Sequence, residues 1–258
     1  MLTDLWRECS AALLAKAIGE LCFEGLLTPA ALDDRGRHEL RFDDARYTFS
    51  ATRTAFGGWA VEPGSVRRAA AGILGDDVVE PCDDVQVFVV DAFRSLDVDP
   101  ATTAGFLAEV TATLAADVAL ASTALPAAEL APLPREELDG HLTGHPWLIA
   151  NKGRVGFSAD DLARHSPEAR TPVRLPWLAV HRGLAEFRGT SALSEEGVRA
   201  RELDPVTVER FTAVLREAGA DPEAYVWAPV HPWQLDHVVR TLWAPELATG
   251  RIVELGEA

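Results

Sequence analysis

The sequence predicts an α+β protein, with a helical N-terminal lead-in followed by an antiparallel or mixed sheet with packed helices. Residues 39–62 alternate apolar and polar side chains, which is the period of a strand. Apolar residues recur at helical spacing in three segments: 3–26, 83–96 and 100–123. Short apolar runs predict three further strands, at 172–181, 225–230 and 252–255. Helices and hairpins therefore occupy separate parts of the chain, as in an α+β fold.

Start and stop residues support these assignments and divide the chain. Asp99 followed by Pro100 is typical of a helix N-cap and first helical position. Residues 124–134 contain three prolines and are interpreted as a connector. We therefore predict a helical and β-hairpin region over residues 1–134 and a second, motif-bearing region over 135–258.

Composition excludes several function classes. A formal net charge of -16 argues against binding to nucleic acid or to an anionic membrane, because phosphate binding needs a broad basic face. Cys9, Cys22 and Cys82 are widely spaced in apolar surroundings and are interpreted as reduced thiols of a cytoplasmic protein. No signal-peptide pattern and no run of about 18 apolar residues is apparent, so no membrane-spanning segment is expected.

One segment departs from the acidic character of the chain. Residues 145–182 contain six Lys or Arg against three Asp or Glu, a local excess of three positive charges. A basic segment in an acidic protein is where an anionic ligand is expected to bind.

The first part of this segment contains residue types suited to anion binding. Gly144 allows a tight turn before His145 and Pro146, and an imidazole on such a turn can donate to a phosphate or carboxylate. The alternative is a partly buried histidine with a structural role. If the backbone around Lys152 and Arg154 is extended, their side chains share a face and converge on one anion. Otherwise they are two solvated surface cations.

Ser158 is expected to cap a helix, because Ser158 and Asp161 form an S-x-x-D start. A contact between Ser158 and a ligand is the lesser alternative. Several common motifs of phosphate, dinucleotide, hydrolase and zinc sites do not occur. Turn and cap chemistry explains the Asp-Asp pairs better than metal binding does. These pairs begin at Asp33, Asp43, Asp76 and Asp83.

Two motifs carry a resemblance to a known family. The first reads GHPWLIANKGRVGFSADD and is followed by Pro167-Glu168, and the second is PVHPWQ at 229–234. In this order they resemble the IucA/IucC family of siderophore synthetases, which work independently of peptide-synthetase assembly lines. Two departures stand out: Leu148-Ile149 replace a second His-Pro, and family members continue into a Ser-x-Arg-Thr stretch and a C-terminal lobe. The resemblance thus covers the N-terminal portion of such an enzyme.

The resemblance implies ATP-dependent ligation, in which a carboxylate of citrate or a related polycarboxylic acid is adenylated and then captured by an amine or alcohol. It implies catalytic roles for His145 and Arg154, and ligand-binding roles for Lys152, Ser158 and Gln234. ATP and Mg2+ are the implied cofactors, with the magnesium ligands expected in the C-terminal lobe. The partner is expected to be that lobe or a second copy in a homodimer. The alternative is a non-catalytic module or split-enzyme subunit that binds another chain.

Overall fold

The computed structural model describes residues 2–70 and 78–258, and the side chains of 3–69 and 79–258. The chain forms two compact units, one ending at Arg170 and the other beginning at Thr171. The predicted division after residue 134, which begins the motif-bearing region, stays a prediction. The two compact units divide later in the chain, after the first of the two motifs. The Asp76-Asp77 pair lies outside the described residues.

The predicted helices form in the first unit. Its helices are α1 (Leu2–Phe23), α2 (Val85–Ser95), α3 (Pro100–Ser122), α4 (Ala127–Leu130), α5 (Arg135–Leu138) and α6 (Ala159–His165). The Asp99 side chain accepts from the amides of Ala101 and Thr102, both at 3.0 Å, which confirms the cap of α3. Asp84 caps α2 in the same way, so this Asp-Asp pair serves as a helix start.

An antiparallel sheet lies between the first two helices in sequence. Its strands are β1 (Ala30–Ala31), β2 (Arg37–Arg41), β3 (Ala45–Arg53), β4 (Trp59–Val61), β5 (Arg67–Ala70) and β6 (Val78–Pro81). The described strands follow the order β1-β2-β3-β5-β6, and β4 pairs with the second half of β3. The hairpins predicted over 39–62 are confirmed. Strand β5 was not predicted, because its Arg67-Arg68 pair gives it no apolar alternation.

Alternation along β3 builds the core of the first unit. Tyr47 and Phe49 point to the buried face and pack with residues of α1, α2 and α3. Tyr47 makes an edge contact with Phe88, at 5.2 Å between ring centroids, and burying such a ring contributes about 2 kcal/mol. The Tyr47 hydroxyl donates to Asp91 at 2.7 Å, and Arg68 Nε donates to the same oxygen at 2.8 Å. Burial raises the pKa of Tyr47, so its hydroxyl stays a donor.

The helix α3 bears on the expectation that no segment spans a membrane. By length and composition alone it is apolar enough to cross a membrane, and 33% of its most apolar window is buried. Its buried residues include Val110, Leu114 and Val118, which belong to the core shared with α1 and α2. Packing in this core accounts for the apolar residues on that face of the helix.

The second unit is a three-stranded antiparallel sheet with helices. Its elements are β7 (Pro176–His181), α7 (Glu195–Glu202), α8 (Pro205–Glu217), β8 (Tyr225–Pro229), α9 (Pro232–Gln234), α10 (Arg240–Leu242), α11 (Ala244–Ala248) and β9 (Ile252–Glu257). The strand order is β8-β7-β9. Trp177 of β7 packs with Phe211 of α8, whereas its neighbour Leu178 packs with Leu235 and Ile252. Both faces of β7 are therefore buried. A π-helical turn over Leu235–Val239 connects α9 to α10.

All three cysteines are free thiols, as the sequence predicts. Cys22 and Cys82 are buried and Cys9 is half-buried. Burial raises the pKa of the Cys22 thiol to about 12, which keeps it protonated and unreactive at neutral pH.

Candidate functional site

The His145 turn has a defined hydrogen-bond pattern. Gly144 adopts φ +85°, and its position also needs the absence of a side chain, because an added Cβ would overlap the Asn151 amide. The backbone N–H of Trp147 donates to His145 Nδ1 at 3.1 Å. Nδ1 is therefore the acceptor nitrogen, and the proton of the neutral ring lies on Nε2. His145 is exposed. The turn thus presents an Nε2–H donor at the surface.

Lys152 is a buried cation with a carboxylate partner. Its side chain is 4% exposed, and Nζ donates to Asp117 Oδ1 and to the Thr143 carbonyl, both at 2.8 Å. Its backbone N–H donates to Thr113 Oγ1 at 3.2 Å. Lys152 therefore connects α3 to the backbone just before Gly144. The alternative of a solvated surface cation is wrong for this residue.

Arg154 pairs with a second carboxylate. Its Nη2 donates to both oxygens of Glu168, at 2.8 and 3.0 Å. Glu168 is buried, at 9% exposure. Arg154 Nη1 is a buried donor without a hydrogen-bond partner among the described residues. An unpaired buried donor costs about 1–3 kcal/mol, so this ion pair leaves part of the guanidinium unsatisfied.

The condition that would bring these two cations together is not met. The backbone forms turns here instead of an extended segment, since the N–H of Gly153 donates to the Ala150 carbonyl and that of Arg154 to the Lys152 carbonyl. In consequence Lys152 and Arg154 bind Asp117 and Glu168 respectively. A bound anion would share each cation with its carboxylate.

Ser158 is a helix cap, as the sequence predicts. Its hydroxyl accepts from the Asp161 amide at 3.1 Å, and the Asp161 carboxylate accepts from the Ser158 backbone N–H at 2.9 Å. This reciprocal pair is a capping box with Asp in place of the usual Glu or Gln. The Ser158 hydroxyl already forms hydrogen bonds with Asp161, so only its remaining lone pair is available for the proposed contact with a ligand.

A cavity of about 550 Å3 borders the His145 turn. Its polar lining includes Lys16, Asp117, His141 and His145, and its apolar lining comes mainly from α1 and α3. Lys16 Nζ donates to the His145 carbonyl at 2.6 Å. Burial lowers the pKa of Lys16, and the nearby Asp117 carboxylate opposes that effect.

Sequence reasoning did not identify Lys16, Asp117 or Glu168 as site residues. Lys16 and Asp117 lie within helices α1 and α3, where a charged residue usually indicates the solvated face. Their only sequence signal is that each interrupts a largely apolar helix. Their role depends on contacts with residues 129 and 35 positions away in the chain, which helical periodicity does not encode.

The second motif lies in the other unit. His231 precedes α9, and its Nδ1 accepts from the Trp233 backbone N–H at 3.3 Å, which repeats the geometry of His145 and Trp147. Gln234 is exposed at the end of α9. Across residues 2–70 and 78–258, no group of three or more His, Cys, Asp or Glu side chains is placed to hold a metal ion.

Comparison with solved structures identifies the class of protein. The fold is that of siderophore synthetases: it matches aerobactin synthetase IucC from a hypervirulent pathotype of Klebsiella pneumoniae with a TM-score of 0.85 at 31% identity, covering 100% of this chain and 46% of that one. The petrobactin biosynthesis protein AsbB from Bacillus anthracis str. Sterne shares the fold, with a TM-score of 0.82 at 22% identity over 98% of this chain and 42% of that one.

Residues 135–258 match the IucA / IucC family. It is 33% identical to the rhizobactin siderophore biosynthesis protein RhbF of Rhizobium meliloti (strain 1021), over 98% of this chain and 41% of that protein. It is 30% identical to aerobactin synthase of Escherichia coli, over 98% of this chain and 42% of that protein. The chain therefore spans about two fifths of the length of these relatives. The resemblance inferred from the two motifs is confirmed.

Proposed function

We propose that this chain is the N-terminal portion of a cytoplasmic, ATP-dependent siderophore synthetase. The observation that carries the proposal is the His145 turn, with its outward Nε2–H donor, in a chain related over 98% of its length to a siderophore biosynthesis protein. One structural relative is an ATP-bound aerobactin synthetase, which supports ATP as the activating substrate. The proposed acid is citrate or a related polycarboxylic acid, and the proposed nucleophile is an amine or alcohol.

The proposed reaction has two steps. A carboxylate oxygen of the acid attacks the α-phosphorus of ATP and pyrophosphate leaves, which gives an acyl adenylate. The amine nitrogen or alcohol oxygen then attacks the acyl carbon, AMP leaves, and the nucleophile loses one proton. Both steps develop negative charge on oxygen, which fixed donors stabilise.

Each residue of the candidate site has a role in this proposal. His145 donates from Nε2 to a carboxylate or phosphate oxygen, and such a hydrogen bond to a charged group is worth about 1.5–3 kcal/mol. Lys152 and Arg154 contribute positive charge, which each shares with its carboxylate partner. Ser158 and Gln234 are lesser candidates, Ser158 because it caps α6 and Gln234 because its only observed property is exposure.

Among the described residues, no group of three or more His, Cys, Asp or Glu side chains is placed to hold magnesium. The metal would neutralise phosphate charge when bound with ATP. This chain corresponds to about two fifths of the relatives' length. We propose that the magnesium ligands, and the surface that closes the site, come from the remaining part of the enzyme.

Isothermal titration calorimetry with citrate and with ATP tests the binding proposal on the 258-residue chain. We expect measurable binding of one of them, and weaker binding in H145Q and K152M. The matched control is H181Q, because His181 Nδ1 also accepts an amide, from Gly183 at 3.0 Å, but in the second unit. Equal binding in H145Q and H181Q would contradict the proposed role of His145.

Turnover assays test a separate part of the proposal, namely that the isolated chain binds ligand without completing ligation. Release of pyrophosphate together with formation of an amide or ester by the isolated chain would contradict it. Restoration of activity by co-expression with a C-terminal lobe of a relative would support it.

A second candidate function, a module or split-enzyme subunit that binds another chain, is favoured by exposed apolar side chains. Phe56 is 99% exposed, and Phe23, Trp147 and Leu148 are exposed near one another along α1 and the His145 turn. Exposed apolar surface of this kind is typical of interaction sites. Analytical ultracentrifugation distinguishes self-association from binding to a separately expressed lobe, and a monomer that binds neither would contradict this alternative.

A further inference from the structure

One face of helix α1 contacts the His145 turn at three points. Lys16 Nζ donates to the His145 carbonyl at 2.6 Å. The Glu20 carboxylate lies beside the Ile149 backbone N–H, which lowers the carboxyl pKa against the larger, raising effect of burial. Between these two contacts, the Phe23 ring packs on Trp147 with 5.2 Å between ring centroids. Lys16, Glu20 and Phe23 follow the i, i+4, i+7 spacing of one helix face.

On the turn, His145 meets Lys16, Trp147 meets Phe23, and Ile149 lies beside Glu20. The helix α1 therefore lies against the turn on both sides of the Trp147 amide. This amide is the group that donates to His145 Nδ1. Trp147 is also confined from the other side, since a Cβ added to Gly58 would lie 2.6 Å from its ring.

Burial destabilises the charged side chains on this face of α1. Burial lowers the pKa of Lys16 and raises that of Glu20, so each charged form is penalised where it lies. Glu20 Oε2 is buried without a hydrogen-bond partner among the described residues. These charges therefore add little stability to the helix by themselves, and the contact that Lys16 makes is its hydrogen bond to the His145 carbonyl.

We infer that Lys16 is a positioning residue for His145, which acts by holding the 145–147 backbone so that the Trp147 amide fixes the Nε2–H form of the imidazole. The inference rests on the proposed role of His145 for its functional meaning. Its structural content, a single ring form held by α1, does not depend on any ligand.

Lys16 fixes the carbonyl of His145 itself, and therefore the plane of the peptide that leads into Pro146. Without that contact, the turn can rotate so that the Trp147 N–H no longer reaches Nδ1. The two neutral forms of the ring then become comparable in free energy, because the proton of a free imidazole can lie on either nitrogen.

The test is a long-range 1H–15N correlation spectrum of the histidine side chains in the 15N-labelled 258-residue chain, assigned with H145Q. We expect His145 of the unchanged protein to show one pyrrole-type nitrogen, Nε2, and one pyridine-type nitrogen, Nδ1. K16M should lose this pattern and show averaged nitrogen shifts. K16R keeps a donor at that position and should retain the single form.

His181 and His231 are internal controls, because their Nδ1 atoms accept amides within the second unit. Their signals should be the same in every variant. Folded K16M with an unchanged His145 pattern would overturn the inference.

A measurement on the unchanged protein covers the case in which K16M fails to fold. The Trp147 amide should be protected from hydrogen exchange relative to that of the neighbouring exposed residue Leu148, and absence of protection would overturn the inference. Failure of citrate and ATP to bind would contradict the proposed function alone, since neither the ring form nor the amide protection requires a ligand.

Discussion

Gly144 provides the most discriminating prediction about stability. Substitution G144A puts a Cβ on a residue at φ +85°, and this Cβ would overlap the Asn151 amide group and lie 2.8 Å from its Cγ. The left-handed conformation costs an L-residue about 1–2 kcal/mol. Alanine restricts the unfolded chain and returns about 0.4–1 kcal/mol of this, so the backbone term alone is about 1 kcal/mol.

The overlap adds a second term. Asn151 must rotate away, which breaks its hydrogen bond from Nδ2 to the Leu148 carbonyl at 3.0 Å. Losing that bond costs about 1 kcal/mol, so G144A should reduce the free energy of unfolding by about 2 kcal/mol. Urea denaturation followed by circular dichroism measures this reduction.

Gly25 provides the matched control. It has φ +73°, and an added Cβ would meet nothing within 4 Å, so G25A should cost only the backbone term of about 1 kcal/mol. In an N151A background the overlap is absent, and G144A should then cost no more than G25A. Equal free-energy losses for G144A and G25A in the unchanged background would refute the steric reasoning.

Two further predictions concern a strained loop and a helix cap. Phe56 has φ +61° and is 99% exposed, so F56N should raise the free energy of unfolding by about 1 kcal/mol, while F56L should not; equal thermal unfolding of the two variants would contradict this. Hydrogen bonds from the Thr207 side chain, and then from the Thr207 and Val206 amides, lower the pKa of Asp204 from its ordinary value of 3.8. Its stabilising effect is therefore complete above that value and is lost as the pH falls through the lowered folded-state pKa, so D204N should show a smaller loss of stability on acidification in urea titrations at a series of pH values.

Local patterns predicted most of the elements. The helix predicted over 3–26 occupies Leu2–Phe23, and the one predicted over 83–96 occupies Val85–Ser95. Asp99 and Ser158 were recognised as caps because capping depends on residues within one helical turn. These features could be predicted because their causes lie within a few residues.

The partners of the site residues could not be predicted in the same way. A turn at Gly153 replaces the extended segment that would place Lys152 and Arg154 on one face. Lys152 binds Asp117 and Arg154 binds Glu168, and these partners lie 35 and 14 residues away in the chain. Two-residue spacing specifies a shared face only in a strand, so the inference about convergence depended on a backbone conformation that the sequence did not determine.

Strand β5 could not be predicted for a similar reason, because it depends on a tertiary contact. Its side chains Arg67 and Arg68 are polar, yet the strand pairs with β3 because Arg68 satisfies the buried Asp91 carboxylate and the Tyr47 hydroxyl. Two consecutive charged residues remove the apolar alternation by which a strand is predicted from sequence. The tertiary partner decides the conformation here.

The turn at His145 limits the kind of proton chemistry that its ring can perform. A histidine that passes protons through both nitrogens needs each of them to change state during the cycle. Here one nitrogen is occupied by a peptide N–H two residues further along, which cannot give up its own proton at neutral pH. The ring can therefore exchange a proton only at Nε2, where it can donate one or take one back. A proton relay through both nitrogens would first require the turn to open.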